Sequence, residues 1–205
     1  MIIVFYHKGE QFEINQTINT NILKYWRTHQ SQAKMIAMGT SCSYSPDIPM
    51  TEYNYLLGEP EKGLYTYAMT KRMLLVGLKS YAEQFGLKYI YYVPSTLYGA
   101  DFDLEDSHFI FDLIKKIYSG KTDNVKVELW GDGHQKRELI YVNDATKIIM
   151  DTLHLENEII NLGSGEEHSI RDFAKVISNY VDYNKEKLYM TRLNMLVFFL
   201  KNCHG

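Results

Sequence analysis

Apolar residues recur along this chain in two alternating rhythms, one of helical period and one of short continuous runs. From Phe12 to about His29, Ile14, Ile18, Ile22 and Tyr25 return at helical spacing and predict a helix. "AKMIAM" (33–38) then predicts a short buried strand ending at Gly39, and 40–63, with Pro46, Pro49, Gly58 and Pro60, predicts a long loop. Loops of that length inside a compact domain usually carry function. Residues 64–85 give the longest amphipathic segment, stopped by Gly86. "KYIYYV" (88–93) is the next strand, bounded by Pro94, and a second loop runs to Asp106. A helix follows from about Ser107 to Ser119, before Gly120, with Phe109, Leu113, Ile114 and Ile117 facing inward. "VKVELW" (125–130) and "RELIYV" (137–142) predict strands around a Gly131–Gly133 turn. Helix 143–154, strand "EIINL" (158–162) and helix 169–180 follow.

Helix and strand alternate, and the strands are too apolar to leave one face in water. That pattern predicts an α/β protein whose parallel sheet is covered on both sides. With 205 residues the chain can bury one good core, or a core and a smaller lobe. A formal net charge of −3 without long charge runs gives no basic footprint for nucleic acid. The two cysteines, Cys42 and Cys203, make neither a disulfide framework nor a metal cluster, which fits a reducing cytoplasm. "MIIVFY" is too short for a signal peptide, and "MLVFFL" (195–200) is too short to span a bilayer. A soluble, cytoplasmic protein without a membrane partner is expected.

The candidate chemistry starts at "YTYAMTKR" (65–72), where Tyr67 and Lys71 lie four apart and so share a helix face. A phenol beside an ammonium is a tuned acid, because a nearby cation favours phenolate. Spacing alone is weak, since Tyr183 and Lys187 repeat it in a chain with 17 tyrosines. Context is stronger. "MGTSCSYSP" (38–46) and "PSTLYGADFD" (94–103) each follow a buried strand, at the carboxyl ends where open α/β sheets bind ligands.

"GTSCSY", "YAMTK", "STLYG", "DSHFIFDLIKK", "WGDGHQKRELIYVND" and "INLGSGEEHSI" occur in that order. Together they resemble the extended short-chain dehydrogenase/reductase family, and within it the GDP-L-fucose synthase type of nucleotide-sugar epimerase/reductase. The resemblance covers about Phe12 to Lys187. It implies 3,5-epimerisation and NADPH-dependent 4-reduction of a GDP-4-keto-6-deoxy sugar. Tyr67 would then be the proton donor, and Lys71 the residue that lowers its pKa and holds the nicotinamide ribose. Thr40 would bind the substrate carbonyl, and Cys42 and His108 would move protons during epimerisation. Pro94, Thr96, Leu97 and His108 would join Tyr67 and Lys71 around the cofactor, while Lys116, Trp130 and Arg137 would hold the nucleotide diphosphate. Asn15 lies near the family's helical asparagine, in a loose match. Thr96 replaces the usual Asn, Ala100 the usual Pro and Lys116 a common Arg, so a related GDP-deoxyhexose or GDP-heptose fits as well. Each residue also has a plainer reading: Cys42 as a small hydrophobe, His108 as a helix-end residue, Trp130 as core, Arg137 as a surface pair with Glu138 or Asp132.

No G-x-G-x-x-G or G-x-x-G-x-x-G occurs in the sequence, so the NADPH site is expected to be incomplete, as in an N-terminally truncated chain. The expected organisation is the C-terminal half of a Rossmann-type doubly wound sheet over 1–98 and a mostly substrate-binding small α/β lobe over 99–190, with elements returning to the core. Residues 191–205 form an atypical apolar tail for which a reading-frame shift is one origin. The resemblance also implies a homodimer built on the helices around 12–29 and 64–85. Two other readings stand beside it: a catalytically inactive remnant or nucleotide-sugar-binding subunit, and a related NAD-dependent epimerase/dehydratase without net reduction.

Overall fold

A computed structural model describes residues 7–100 and 108–191. The chain divides into two units, one of Met1–Gly99 with Ile140–Ser164 and the other of Ala100–Leu139 with Gly165–Gly205.

The first unit is built on a parallel sheet in the order β1 (Met35–Met38), β2 (Tyr89–Pro94), β6 (Glu158–Leu162). The central strand β2 is buried along nearly its whole length, as its unbroken apolar run requires. One core joins β1 and β2 to helices α1 (Lys8–His29) and α2 (Tyr65–Phe85) through Leu23, Trp26, Leu75, Leu78, Tyr89 and Tyr91. A second core joins Ile90, Tyr92 and Leu162 to Ile140 and to Ala145 of helix α4 (Val142–Thr152). Helix α2 ends where the sequence says it should. Gly86 takes φ +67 and its N–H donates to the Ala82 carbonyl, a left-handed cap that favours glycine. The long loop after β1 is broken only by short 3₁₀ turns at Ser41–Ser43 and Glu52–Asn54, and a short strand β3 (Thr96–Tyr98) follows β2.

Helix α1 forms as expected but buries a different face. Leu23 and Trp26 are its buried residues. Ile14, Ile18, Ile22 and Tyr25, the stripe that predicted the helix, are 46–58% exposed. The helix therefore carries two apolar faces, and α2 covers the one containing Leu23.

The second unit packs helix α3 (Phe109–Thr122) and α5 (Ile170–Tyr180) on a parallel pair of strands, β4 (Val127–Trp130) and β8 (Leu188–Thr191). Leu113, Ile117, Val127, Leu129, Ala174 and Tyr183 form its core. Gly120 does not stop α3, which runs two residues past it. A Cβ there would lie 2.1 Å from Val127 Cγ2, so this glycine permits close packing rather than a turn. Strands β4 and β5 (Lys136–Tyr141) do not pair across the Gly131–Gly133 turn, as adjacent strands would suggest. β4 pairs with β8, and β5 pairs antiparallel with β7 (Glu167–Ser169). Ser169 caps α5 with a reciprocal Ser169–Asp172 capping box. The expectations for 1–6, for the loop and helix start at 101–107, and for the tail from 192 lie outside the described residues. No described helix is long and apolar enough to cross a membrane.

Candidate functional site

The long loop and helix α2 bring the first group of candidate residues together at the carboxyl end of β1. Thr40 follows the strand directly and is buried; its Oγ1 accepts the Cys42 N–H at 3.3 Å, which fixes the hydroxyl and starts the 3₁₀ turn. Tyr67 and Lys71 stand half-buried one turn apart on α2. Burial, the largest influence, raises the Tyr67 pKa above its ordinary value. A hydrogen bond with the Thr40 side chain opposes that rise, while Cys42 and Tyr55 add to it. Lys71 Nζ lies 5.9 Å from the Tyr67 ring centroid and donates to the Met38 carbonyl at 3.2 Å. Desolvation lowers the pKa of that ammonium. The resemblance gives Lys71 the lowering of the Tyr67 pKa; the net direction is upward with burial the largest cause, and Thr40 is the neighbour that favours phenolate. The result is a phenol that holds its proton at neutral pH. Cys42 is a free, exposed thiol.

Pro94 ends β2, with Thr96 and the exposed Leu97 in β3 just beyond. Between them, Ser95 has a buried Oγ with no hydrogen-bond partner among the described residues. An orphaned hydroxyl and an ammonium with donors to spare suit the ribose and carboxamide end of a nicotinamide. The sequence holds no glycine loop for the pyrophosphate, so the fit is to that end alone.

In the second unit, His108 is itself the N-cap residue of α3, exposed and edge-on to Phe109. Lys116 Nζ sits 4.6 Å from the centroid of the Trp130 ring, which is 54% exposed and not a core residue. Arg137 is exposed on β5 and donates to the Lys136 carbonyl at 2.8 Å; Glu138 is engaged instead by the Gly165 N–H at 2.6 Å. No group of three or more His, Cys, Asp or Glu suited to a metal ion occurs among the described residues. On α1, Asn15 is half-buried, and it is Asn19 whose side-chain amide donates to the Thr70 carbonyl on α2, at 3.0 Å.

Sequence reasoning missed what holds the loop. Arg72, 5% exposed, donates to the carbonyls of Ser43, Leu57 and Gly58 at 2.7–2.9 Å, clamping the loop onto α2 with a charge that forms no ion pair among the described residues. Tyr44 donates to Asn161 Oδ1 at 2.6 Å, and Glu52 accepts the Asn161 N–H at 2.9 Å, so β6 ties down the same loop. Burial pushes the Tyr44 phenol up to about 12. Tyr55 and Tyr91, both fully buried, lie beneath Thr40. The available signal was "YIYY" itself, because a strand buried on both faces must find partners for its hydroxyls.

The sequence profile of the NAD dependent epimerase/dehydratase family matches residues 5–163. The GDP-L-fucose synthase of Dictyostelium discoideum is 29% identical over 194 residues, covering 90% of this chain and 60% of that protein. The GDP-L-colitose synthase of Yersinia pseudotuberculosis is 33% identical over 166 residues, covering 76% and 54%. A crystal structure of a GDP-L-fucose synthetase from Naegleria fowleri bound to NADP superimposes with a TM-score of 0.74 at 24% identity, covering 97% of this chain and 67% of that one. The chain spans little more than half the length of these curated relatives.

Proposed function

Because the chain belongs to the NAD dependent epimerase/dehydratase family, we propose that it serves a nucleotide-sugar epimerase/reductase of the GDP-L-fucose synthase type. The substrate would be a GDP-4-keto-6-deoxy sugar and the reductant NADPH. The observation that carries this reading is the gathering of Thr40, the Tyr67 phenol and the Lys71 ammonium at the carboxyl end of β1.

A 4-keto group acidifies the protons at C3 and C5, so an acid and a base can exchange them and invert both centres. Cys42 and His108 take those roles by resemblance; a thiol and an imidazole both exchange protons near neutral pH. Reduction then needs one hydride at C4 and one proton on O4. NADPH, when bound, would supply the hydride and become NADP⁺. Tyr67 supplies the proton, Thr40 orients the carbonyl by hydrogen bonding, and Lys71 with Ser95, Thr96 and Leu97 would hold the nicotinamide ribose end. Lys116 and Trp130, already in cation–π contact, offer a face and a charge for the nucleotide. Arg137 offers a planar fork for the diphosphate. The outward stripe of Ile14, Ile18, Ile22 and Tyr25, with Met73 and Val76 exposed on α2, supports a homodimer through these helices.

A second reading stands beside it, a nucleotide-sugar-binding subunit without catalysis. One experiment separates the two. The protein is given NADPH and GDP-4-keto-6-deoxymannose, with NADPH oxidation followed at 340 nm and solvent deuterium at C3 and C5 followed by NMR. The enzyme reading expects oxidation, and expects Cys42→Ser to retain reduction while blocking full epimerisation. Binding of the sugar nucleotide with no NADPH consumed supports the subunit reading, and unchanged epimerisation in Cys42→Ser removes the role given to that thiol.

A further inference from the structure

Two tyrosines that no reading of the chemistry uses join the candidate catalytic residues through their hydroxyls. The Thr40 N–H donates to Tyr55 Oη at 3.4 Å, the Tyr55 and Tyr91 hydroxyls lie 3.1 Å apart, and Tyr91 O–H donates to the Lys71 carbonyl at 2.8 Å. A phenol has one proton to donate. Tyr91 spends its proton on Lys71, so the Tyr55 proton must go to Tyr91 Oη, leaving Tyr55 Oη to accept from Thr40. The bonds therefore run in a single direction from the loop to α2: Thr40 N–H to Tyr55, Tyr55 to Tyr91, Tyr91 to the backbone of Lys71.

Both rings are fully buried, and their packing is edge-on, with centroids 5.5 Å apart at 67°. Tyr44 extends the stack, 5.2 Å from Tyr55 at 88°. Space beneath the loop is correspondingly tight. A Cβ on Gly39 would lie 2.5 Å from Tyr91 Cε1 and 2.7 Å from each of the two hydroxyl oxygens. Phe at either position would keep the ring and remove the hydroxyl that links Thr40 to α2. Burial also raises the Tyr91 pKa, keeping that link protonated.

We propose that Tyr55 and Tyr91 are positioning residues that hold Thr40 at the height on α2 where its hydroxyl meets that of Tyr67. Neither touches a reacting atom. The link ends on the Lys71 carbonyl, which has no proton to pass on, so it sets geometry and is not a proton path. This role rests on the reading of Tyr67 and Thr40 as the proton donor and its partner.

The test uses the full 205-residue chain with ¹³Cζ-labelled tyrosine, the Tyr67 resonance being identified by its absence in Tyr67→Phe. Tyr55→Phe and Tyr91→Phe keep both rings and remove only the hydroxyls, and Thr40→Val serves as the reference. At neutral pH the Tyr67 resonance is expected to shift in both Phe variants in the direction it shifts in Thr40→Val. The double variant is expected to shift it no further than the larger single, because one link is broken in each case. A Tyr67 resonance that stays in place in both Phe variants while Thr40→Val moves it overturns the positioning role and leaves the proposed function standing, even if thermal stability falls. If Thr40→Val leaves it in place as well, the pairing of Thr40 with Tyr67 fails, and the positioning role falls with it. Should Tyr91→Phe not fold, Tyr55→Phe, in the middle of the link, carries the same prediction.

Discussion

Tyr67 and Lys71 have the spacing of Tyr183 and Lys187, yet the two pairs come to different ends. Tyr183 is core: its hydroxyl donates to the Val125 carbonyl at 2.8 Å, and its ring lies among Leu113, Ile117 and Val127. Lys187 Nζ is spent on the Asn124 carbonyl and side-chain oxygen, at 3.1 and 2.5 Å. Both residues close the same loop end of their unit, with the Tyr183 hydroxyl and two of the three Lys187 donors committed there. Tyr67 has Thr40 as its partner, Lys71 uses one donor on Met38, and both stay half-buried at the end of a parallel strand. Four-residue spacing puts a phenol near an ammonium in either case. What separates a site from a clasp is the hydrogen-bonding capacity left over after the fold has taken its share.

Substitution of the phenol should divide the pairs most sharply. Tyr67→Phe is expected to cut carbonyl reduction by roughly 10²–10⁴-fold, the usual worth of a positioned general acid, in the NADPH oxidation assay. Tyr183→Phe is expected to leave turnover in place and lower unfolding free energy by about 1 kcal/mol, the net worth of a typical hydrogen bond, by denaturant titration. Equal losses of turnover would erase the distinction.

A smaller effect belongs to the buried phenols around the loop. Tyr44 titrates near 10.0 when unfolded and at about 12 in the fold. A raised pKa favours the protonated form in the native state. Its contribution to stability is therefore full below pH 10 and is lost as pH rises from 10 through about 12. The thermal midpoint is expected to fall across that window, and Tyr44→Phe to make the fall shallower. A Tyr44→Phe profile parallel to that of the wild type would contradict the burial argument. Lys71 works in the opposite sense, since its depressed pKa means that the cost of burying its charge fades as pH rises.

Much of the fold was legible, because local signals and tertiary packing agreed. The run "KYIYYV" is a central strand buried on both faces, and Gly86 is a left-handed cap. Misreadings came where one residue type serves two physical purposes. Gly120 has the sequence of a stop, but its missing Cβ makes room for Val127 inside a continuing helix. The isoleucines of α1 mark a helix correctly, yet periodicity cannot say which of two apolar faces is covered within the same chain. Strands β7 and β8 are three and four residues long and owe their existence to partners distant in sequence, β5 and β4. In the candidate site, motif order singled out Thr40, Cys42, Tyr67 and Lys71, and the fold gathers them at the end of β1. Arg72 and the Tyr55–Tyr91 link were not, since their roles lie in carbonyls and amides that no motif spells out.

Binding of NADPH to lysine variants tests the central distinction most directly. The dissociation constant would be measured by nicotinamide fluorescence for the wild type, Lys71→Met and Lys187→Met, at a temperature where all three are folded. Lys71→Met is expected to weaken binding by roughly tenfold or more, as loss of a charged hydrogen bond worth about 1.5–3 kcal/mol would, while Lys187→Met binds as the wild type does. Equal affinity in Lys71→Met and the wild type, or a loss confined to Lys187→Met, would contradict the assignment of Tyr67 and Lys71 as the pair that serves the nicotinamide.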